Sequence, residues 1–217
     1  MYARRGLATR APIDRTVHAM LLRQLSLALY EGRDFLKAHD IALQALELDV
    51  LADVLHQDAA RAALASGDIE QALAHLRAAA RRSPASRRAF HWWTLGSILF
   101  IARRYREAES ALLRASRWST KDRPLYRGHL VLSQLSAGDV TCDLQQLIDE
   151  LADAPCGQGY GRFVLGLLTF AAGNKRASRK YLEAFIERTT ASRPSLGIAL
   201  EGEVKVARET LAKIGAN

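Results

Sequence analysis

One short pattern occurs three times along this chain, about 34 residues apart: a turn, an aromatic or branched apolar residue, then a small residue three positions later. The pairs are Phe35 with Ala38, Ile69 with Ala72 and Tyr105 with Ala108, each followed seven positions on by a further alanine, Ala45, Ala79 and Ala115. Spacings of three and seven keep side chains on one face of an α-helix. Alanines on that face let a second helix approach closely. A unit of this length cannot bury its apolar stripe alone, so consecutive copies must stack and the end of the stack needs a cover.

Composition agrees with helix throughout. Ala, Leu and Arg dominate, and the five prolines at 12, 84, 124, 155 and 194 leave long runs of good helix formers between them. Gly67-Asp68, Gly138-Asp139 and Gly173-Asn174 supply turns in which a glycine ends one helix and an Asp or Asn caps the next. Arg103-Arg104 interrupts this series, so the third turn is expected to end differently.

The pattern resembles the tetratricopeptide repeat, a helix-turn-helix unit with a Trp, Leu-Gly, Tyr, Ala, Phe, Ala, Pro signature. Residues 89–122 carry it most fully: Trp92, Leu95 and Gly96 stand at the Trp-x-x-Leu-Gly positions, Leu99 replaces the Tyr, and Ala108, Leu112 and Ala115 follow. Residues 53–86 supply Ala59, Ala60, Gly67, Ala72, Leu76, Ala79 and Pro84, and residues 19–52 supply Leu22, Leu25, Leu29, Ala38, Ala42 and Ala45. Two more degenerate units follow at 124–157, where Asp143 replaces the small Ala, and at 159–192, with Leu165-Gly166, Ser178 and Leu182. The resemblance implies an all-α, right-handed solenoid of about five repeats across residues 14–193, preceded by a basic segment, 1–13. Beyond Pro194 a capping helix is expected from Ser195 to Ile214, within residues 194–217.

The resemblance also implies that first helices line a concave groove that binds a protein or peptide segment. Carried onto this sequence, the lining includes Tyr30, Arg61, Phe90, Trp93, Phe100, Tyr160, Phe163 and Phe170. Two readings stay open: a partner helix or peptide lies across these side chains, or neighbouring first helices and the chain's own terminal segments bury them. In this register Trp92 packs inside its own helix pair, whereas Trp93 faces the groove beside Phe90 and Phe100. The cationic clamp with which some relatives hold acidic tails is missing, since its positions carry Arg23, Leu27, Asp58, Phe90 and Thr94.

Charge offers an alternative. The formal net charge is +8, but residues 31–76 hold three bases against nine acids and residues 77–123 twelve bases against three acids. The arginines Arg77, Arg81, Arg82, Arg87, Arg88, Arg103 and Arg104 form a candidate surface for RNA, DNA or another polyanion. A solvated outer face accounts for them more simply.

Other chemistry finds little footing. The six histidines lack ligand spacing such as H-x-x-x-H, so no metal or other cofactor is expected. Neither a nucleophile elbow, a Walker loop nor a Cys-His pattern is present, and no enzymatic activity is expected. The glycine-rich run 156–162 (CGQGYGR) reads as an inter-repeat joint rather than a phosphate loop, because no strand precedes it. Two cysteines, Cys142 and Cys156, suit a reducing compartment, and without a signal-like or membrane-spanning stretch the cytoplasm is the expected location. Self-association through the apolar groove is a third reading.

Overall fold

The computed structural model describes residues 14–139 and 143–216; the expected basic segment 1–13 and Cys142 lie outside them. Among the described residues the chain forms twelve α-helices and one short 3-10 turn, with no strand. It divides within one helix into two compact units, Met1–His91 and Trp92–Asn217. The first unit holds α1 (Arg15–Glu31), α2 (Phe35–Leu46), α3 (Ala52–Ala65), α4 (Ile69–Arg82) and the start of α5 (Ala85–Ile101). The second holds the rest of α5, then α6 (Tyr105–Trp118), α7 (Arg123–Ser136), α8 (Leu144–Asp153), the 3-10 turn Pro155–Gly157, α9 (Gly161–Ala171), α10 (Lys175–Thr190), α11 (Pro194–Ala199) and α12 (Glu201–Gly215).

Five turns between paired helices are built alike. Each places one residue in the left-handed region: Arg33, Gly67, Arg103, Gly138 and Gly173, with φ between 60° and 90°. The N–H of the next residue then donates to the carbonyl five positions back, Asp34 to Leu29, Asp68 to Ala63, Arg104 to Leu99, Asp139 to Gln134 and Asn174 to Thr169, each at 2.9 Å. This is the Schellman closure, which satisfies carbonyls that a helix end would otherwise leave bare. The expectation that Arg103-Arg104 ends its turn differently is therefore corrected. The hydrogen bonds that close the helix fix the backbone, and Arg103 adopts the same conformation as the glycines at a steric cost.

Inside the pairs, small residues do what their spacing suggests. A Cβ on Gly96 would lie 2.5 Å from Leu112 Cγ, and one on Gly166 would lie 2.4 Å from Leu182 Cδ2. Both contacts join a first helix to a leucine sixteen residues later on the second. Hydroxyls cross the same seam, Ser26 Oγ donating to Ala38 O at 2.7 Å and Ser178 Oγ to Gly166 O at 2.8 Å. In the first unit Ala19, Leu22, Ala45 and Leu55 form a packed cluster with Ile41, Leu46, Leu48 and Val50 around it.

Two elements depart from expectation. The second helix of the fourth pair does not start at Asp139, which instead pairs with Arg106. It begins at Leu144, with Asp143 accepting from the Gln145 and Gln146 N–H groups, so the residue expected at a packing position serves as the N-cap. The C-terminal cover is two helices rather than one. The chain bends at Leu200, and α12 packs against α9 and α10.

Candidate partner-binding faces

In the first unit, the groove positions separate into an apolar row and a polar one. Met20 and Phe90 occupy the same position in the first and third repeats and are 52% and 41% exposed, with Val17 exposed one turn before Met20. Val54, at that position in the second repeat, is partly buried. Beside them Asp58 is buried and accepts from Arg23 Nε at 2.6 Å and Arg61 Nη1 at 3.0 Å, while both guanidiniums stay partly open to solvent. Tyr30 is occupied inside the fold: its ring packs on Phe35 at 5.5 Å, and the Arg61 guanidinium carbon lies 5.9 Å from its centre.

Groups that no local motif announced also meet in this unit. His39 Nε2 lies 3.4 Å from His75 Nε2, and His56 Nδ1 lies 3.0 Å from His75 Nδ1, so three helices contribute to one imidazole chain. Burial, then the proximity of His56 and His39, lowers the His75 pKa to about 4. Because His75 meets its neighbours with opposite ring nitrogens, the three do not converge on one ion. Among the described residues no group of three or more His, Cys, Asp or Glu side chains is arranged to hold a metal. Asp53, also buried, accepts from Arg87 at 2.8 and 3.0 Å and lies 3.1 Å from His91 Nε2. Burial works against its carboxylate, but Arg87 and His91 outweigh it and hold the pKa below the usual range.

The second unit gathers most of the predicted aromatics into a packed cluster. Trp93 stacks on Tyr126 at 5.5 Å and meets Tyr160 edge-on at 4.8 Å. Phe163 is fully buried between Tyr160 and Phe185, and Phe100 is buried against Tyr105 and His129. Phe170 is partly buried. Trp92 turns the other way, against its own pair, with Trp118 at 6.3 Å and the Arg114 guanidinium carbon 4.5 Å from the ring centre. The two adjacent tryptophans thus serve different contacts, and Trp93 is covered by the chain itself.

Polar groups lie among these rings. Tyr160 Oη donates to Glu203 Oε1 of α12 at 3.1 Å, and the Ser97 hydroxyl of α5 is hydrogen-bonded to Tyr160 Oη. Glu203 is 3% exposed, and burial raises its carboxyl to about pKa 7 against the weaker pull of its own N–H and the Tyr160 hydroxyl. His129 is completely buried, neither ring nitrogen has a hydrogen-bond partner among the described residues, and burial lowers its pKa to about 3. Position in the repeat pointed to Tyr160; nothing near it in sequence pointed to Glu203.

The arginines of the basic segment are dispersed over several contacts. Arg87 is held by Asp53, Arg82 lies 3.4 Å from Asp49, Arg104 binds Glu107 at 2.6 Å, and Arg103 lies 3.9 Å from Glu209. Arg81 is exposed, and Arg77 and Arg88 are partly buried. The 156–162 run is a packed joint: a Cβ on Gly157 would lie 2.0 Å from Leu151 O, and one on Gly161 would lie 2.1 Å from Cys156 O. Burial raises the Cys156 thiol pKa, which disfavours the reactive thiolate. No helix among the described residues is long and apolar enough to cross a membrane.

No family model and no curated protein matches the sequence. A solved structure does match: PilF of Pseudomonas aeruginosa, a protein containing tetratricopeptide repeats, is similar over 93% of this chain and 90% of that one, with a TM-score of 0.59 and 21% sequence identity. The chain has the tetratricopeptide-repeat fold. At that identity the likeness to PilF is one of fold. The five left-handed turn residues fall at the same position in each tetratricopeptide unit.

Proposed function

We propose that this chain is a non-catalytic, cytoplasmic protein-interaction scaffold that takes an apolar peptide or helix across the first-helix face of its first unit. The observation that carries this reading is the exposure of Met20 and Phe90 at one repeat position on two first helices, with Val17 exposed one turn before Met20. Large apolar side chains in register cost solubility unless something covers them. Arg23 and Arg61 beside them add directional polar contacts, with Asp58 holding both in place. A chaperone-like role in assembly would use the same face.

The test is affinity capture from the native cell with the full chain and with Met20→Ser/Phe90→Ser at equal helicity. A protein retained by the wild type and recovered about tenfold less well with the variant, a loss near 1.4 kcal/mol, supports the reading. Undiminished recovery refutes it. Polyanion binding has weaker support, because Arg82, Arg87, Arg103 and Arg104 lie beside carboxylates of the chain itself. It would gain support only from RNA or DNA binding that collapses as salt rises.

A further inference from the structure

The corresponding face of the second unit is already occupied. Two groove positions there, Ile101 and Tyr160, meet the amino-terminal turn of α12, and a third, Ser97, backs Tyr160. Tyr160 hydrogen-bonds Glu203, Ser97 hydrogen-bonds Tyr160, and Gly202 packs so closely on Ile101 that a Cβ would lie 2.6 Å from Ile101 Cγ2. A glycine at this point lets the helix backbone settle onto the groove. The rest of α12 buries a short apolar stripe of Val204, Ala207 and Ile214. It is seated as an amphipathic partner helix would be.

This contact differs from a permanent cap in two respects. A cap gains most from apolar surface, yet α12 also buries a carboxyl met by the Tyr160 hydroxyl and its own N–H, an arrangement that costs stability relative to a well-packed apolar side chain. The tether is also loose. Helix α11, which joins α12 to α10, has no buried residue, and the chain bends at Leu200 between them. Release of α12 therefore requires no part of the repeat core to open.

We propose that the groove of the second unit is a helix-docking site held shut by the chain's own α12. Its exchange partner is an amphipathic helix that presents a small residue followed by a carboxyl or carboxamide in its first turn. This rests on the scaffold reading in that the groove serves protein segments, but it concerns a different face from Met20 and Phe90.

The structure supplies its own lock. A Cβ at Gly202 lies 3.8 Å from Ile101 Cβ, within the range a disulfide spans. The test uses the full chain with Ile101→Cys/Gly202→Cys in a Cys142→Ser/Cys156→Ser background, and a fluorescent peptide of residues 194–217 as probe. Reduced protein should bind the peptide at least about tenfold more tightly than oxidised protein, because the staple removes the competent open population. Gly202→Leu, which crowds Ile101 and displaces α12, should bind the peptide more tightly than the wild type does, and it tests the same idea if the cysteines do not pair. Equal binding by oxidised and reduced protein, or no gain with Gly202→Leu, overturns the proposal. Capture of a native protein through Met20 and Phe90 by these same variants would leave the scaffold reading intact.

Discussion

Replacing Arg103 by glycine should stabilise this protein although it deletes a charged side chain and creates no contact. Arg103 sits at φ 60°, where Gly67, Gly138 and Gly173 stand in other repeats. An L-residue in that region carries about 1–2 kcal/mol of steric cost. Glycine removes the cost but adds about 0.5–1 kcal/mol of unfolded-state entropy. The ion pair lost is small, since Arg103 and Glu209 are 3.9 Å apart with side chains 77% and 43% exposed, and exposed pairs contribute little. The balance is a gain of about 0.5–1 kcal/mol, and Arg33→Gly, at φ 62° in the first unit, should behave alike. Gly173→Ala is the converse and should cost about 0.5–1 kcal/mol, because open space around its missing Cβ leaves backbone strain, offset in part by the lower unfolded-state entropy of alanine. Urea unfolding followed by far-ultraviolet circular dichroism reads all three as shifts of the midpoint. A lowered midpoint for Arg103→Gly, or an unmoved one for Gly173→Ala, would show that the left-handed turn is not where the strain resides.

Two buried titrations should act in opposite directions. Glu203 keeps its proton to about pH 7 when folded, against the ordinary glutamate value of 4.5. The docking of α12 is therefore strongest below pH 4.5 and weakens as pH rises through about 7. Hydrogen exchange in residues 201–215 should speed up over that window beyond its intrinsic pH dependence, Glu203→Gln should remove the excess, and an equal excess in the variant would refute the assignment. In the first unit His75 stays neutral to about pH 4 against the ordinary histidine value of 6.5, so stability is fully present above 6.5 and lost as pH falls toward 4. The shift corresponds to about 3 kcal/mol at full burial, reduced by partial exposure to about 1–2. Imidazole resonances tracked by NMR should show His75 titrating well below an exposed histidine, and a pKa near 6.5 would refute it.

The repeat register was readable because it is local. Ala38, Ala72 and Ala108, the glycine turns and the Gly96 and Gly166 contacts all depend on residues within about half a repeat of one another, so spacing alone carries them. Arg103 escaped for a specific reason: side-chain preference argues against a left-handed arginine, while the hydrogen bonds closing α5 impose it. The start of α8 was misplaced because Asp143 can pack or cap, and its tertiary surroundings select the cap.

Long-range coverage was not readable in the same way. Position in the repeat placed Trp93, Phe100, Tyr160 and Phe163 on one face, and there they meet. What sequence spacing cannot express is that Glu203, 43 residues from Tyr160 in the chain, comes back to that face, or that His39, His56 and His75 meet from three helices. Stacked repeats make such meetings systematic, since equal positions in successive units become neighbours. Polar residues at equivalent first-helix positions are then the signal to look for, because a buried hydroxyl or carboxyl needs a partner and the partner can come from anywhere in the chain. Ser97 and Tyr160 are polar residues of this kind, at different positions of the third and fifth repeats. The Tyr160 hydrogen bond to a carboxyl of the terminal helix, with Ser97 bonded to Tyr160 behind it, is the kind that an arriving helix could replace one for one, which makes this face exchangeable where an all-apolar one would close for good.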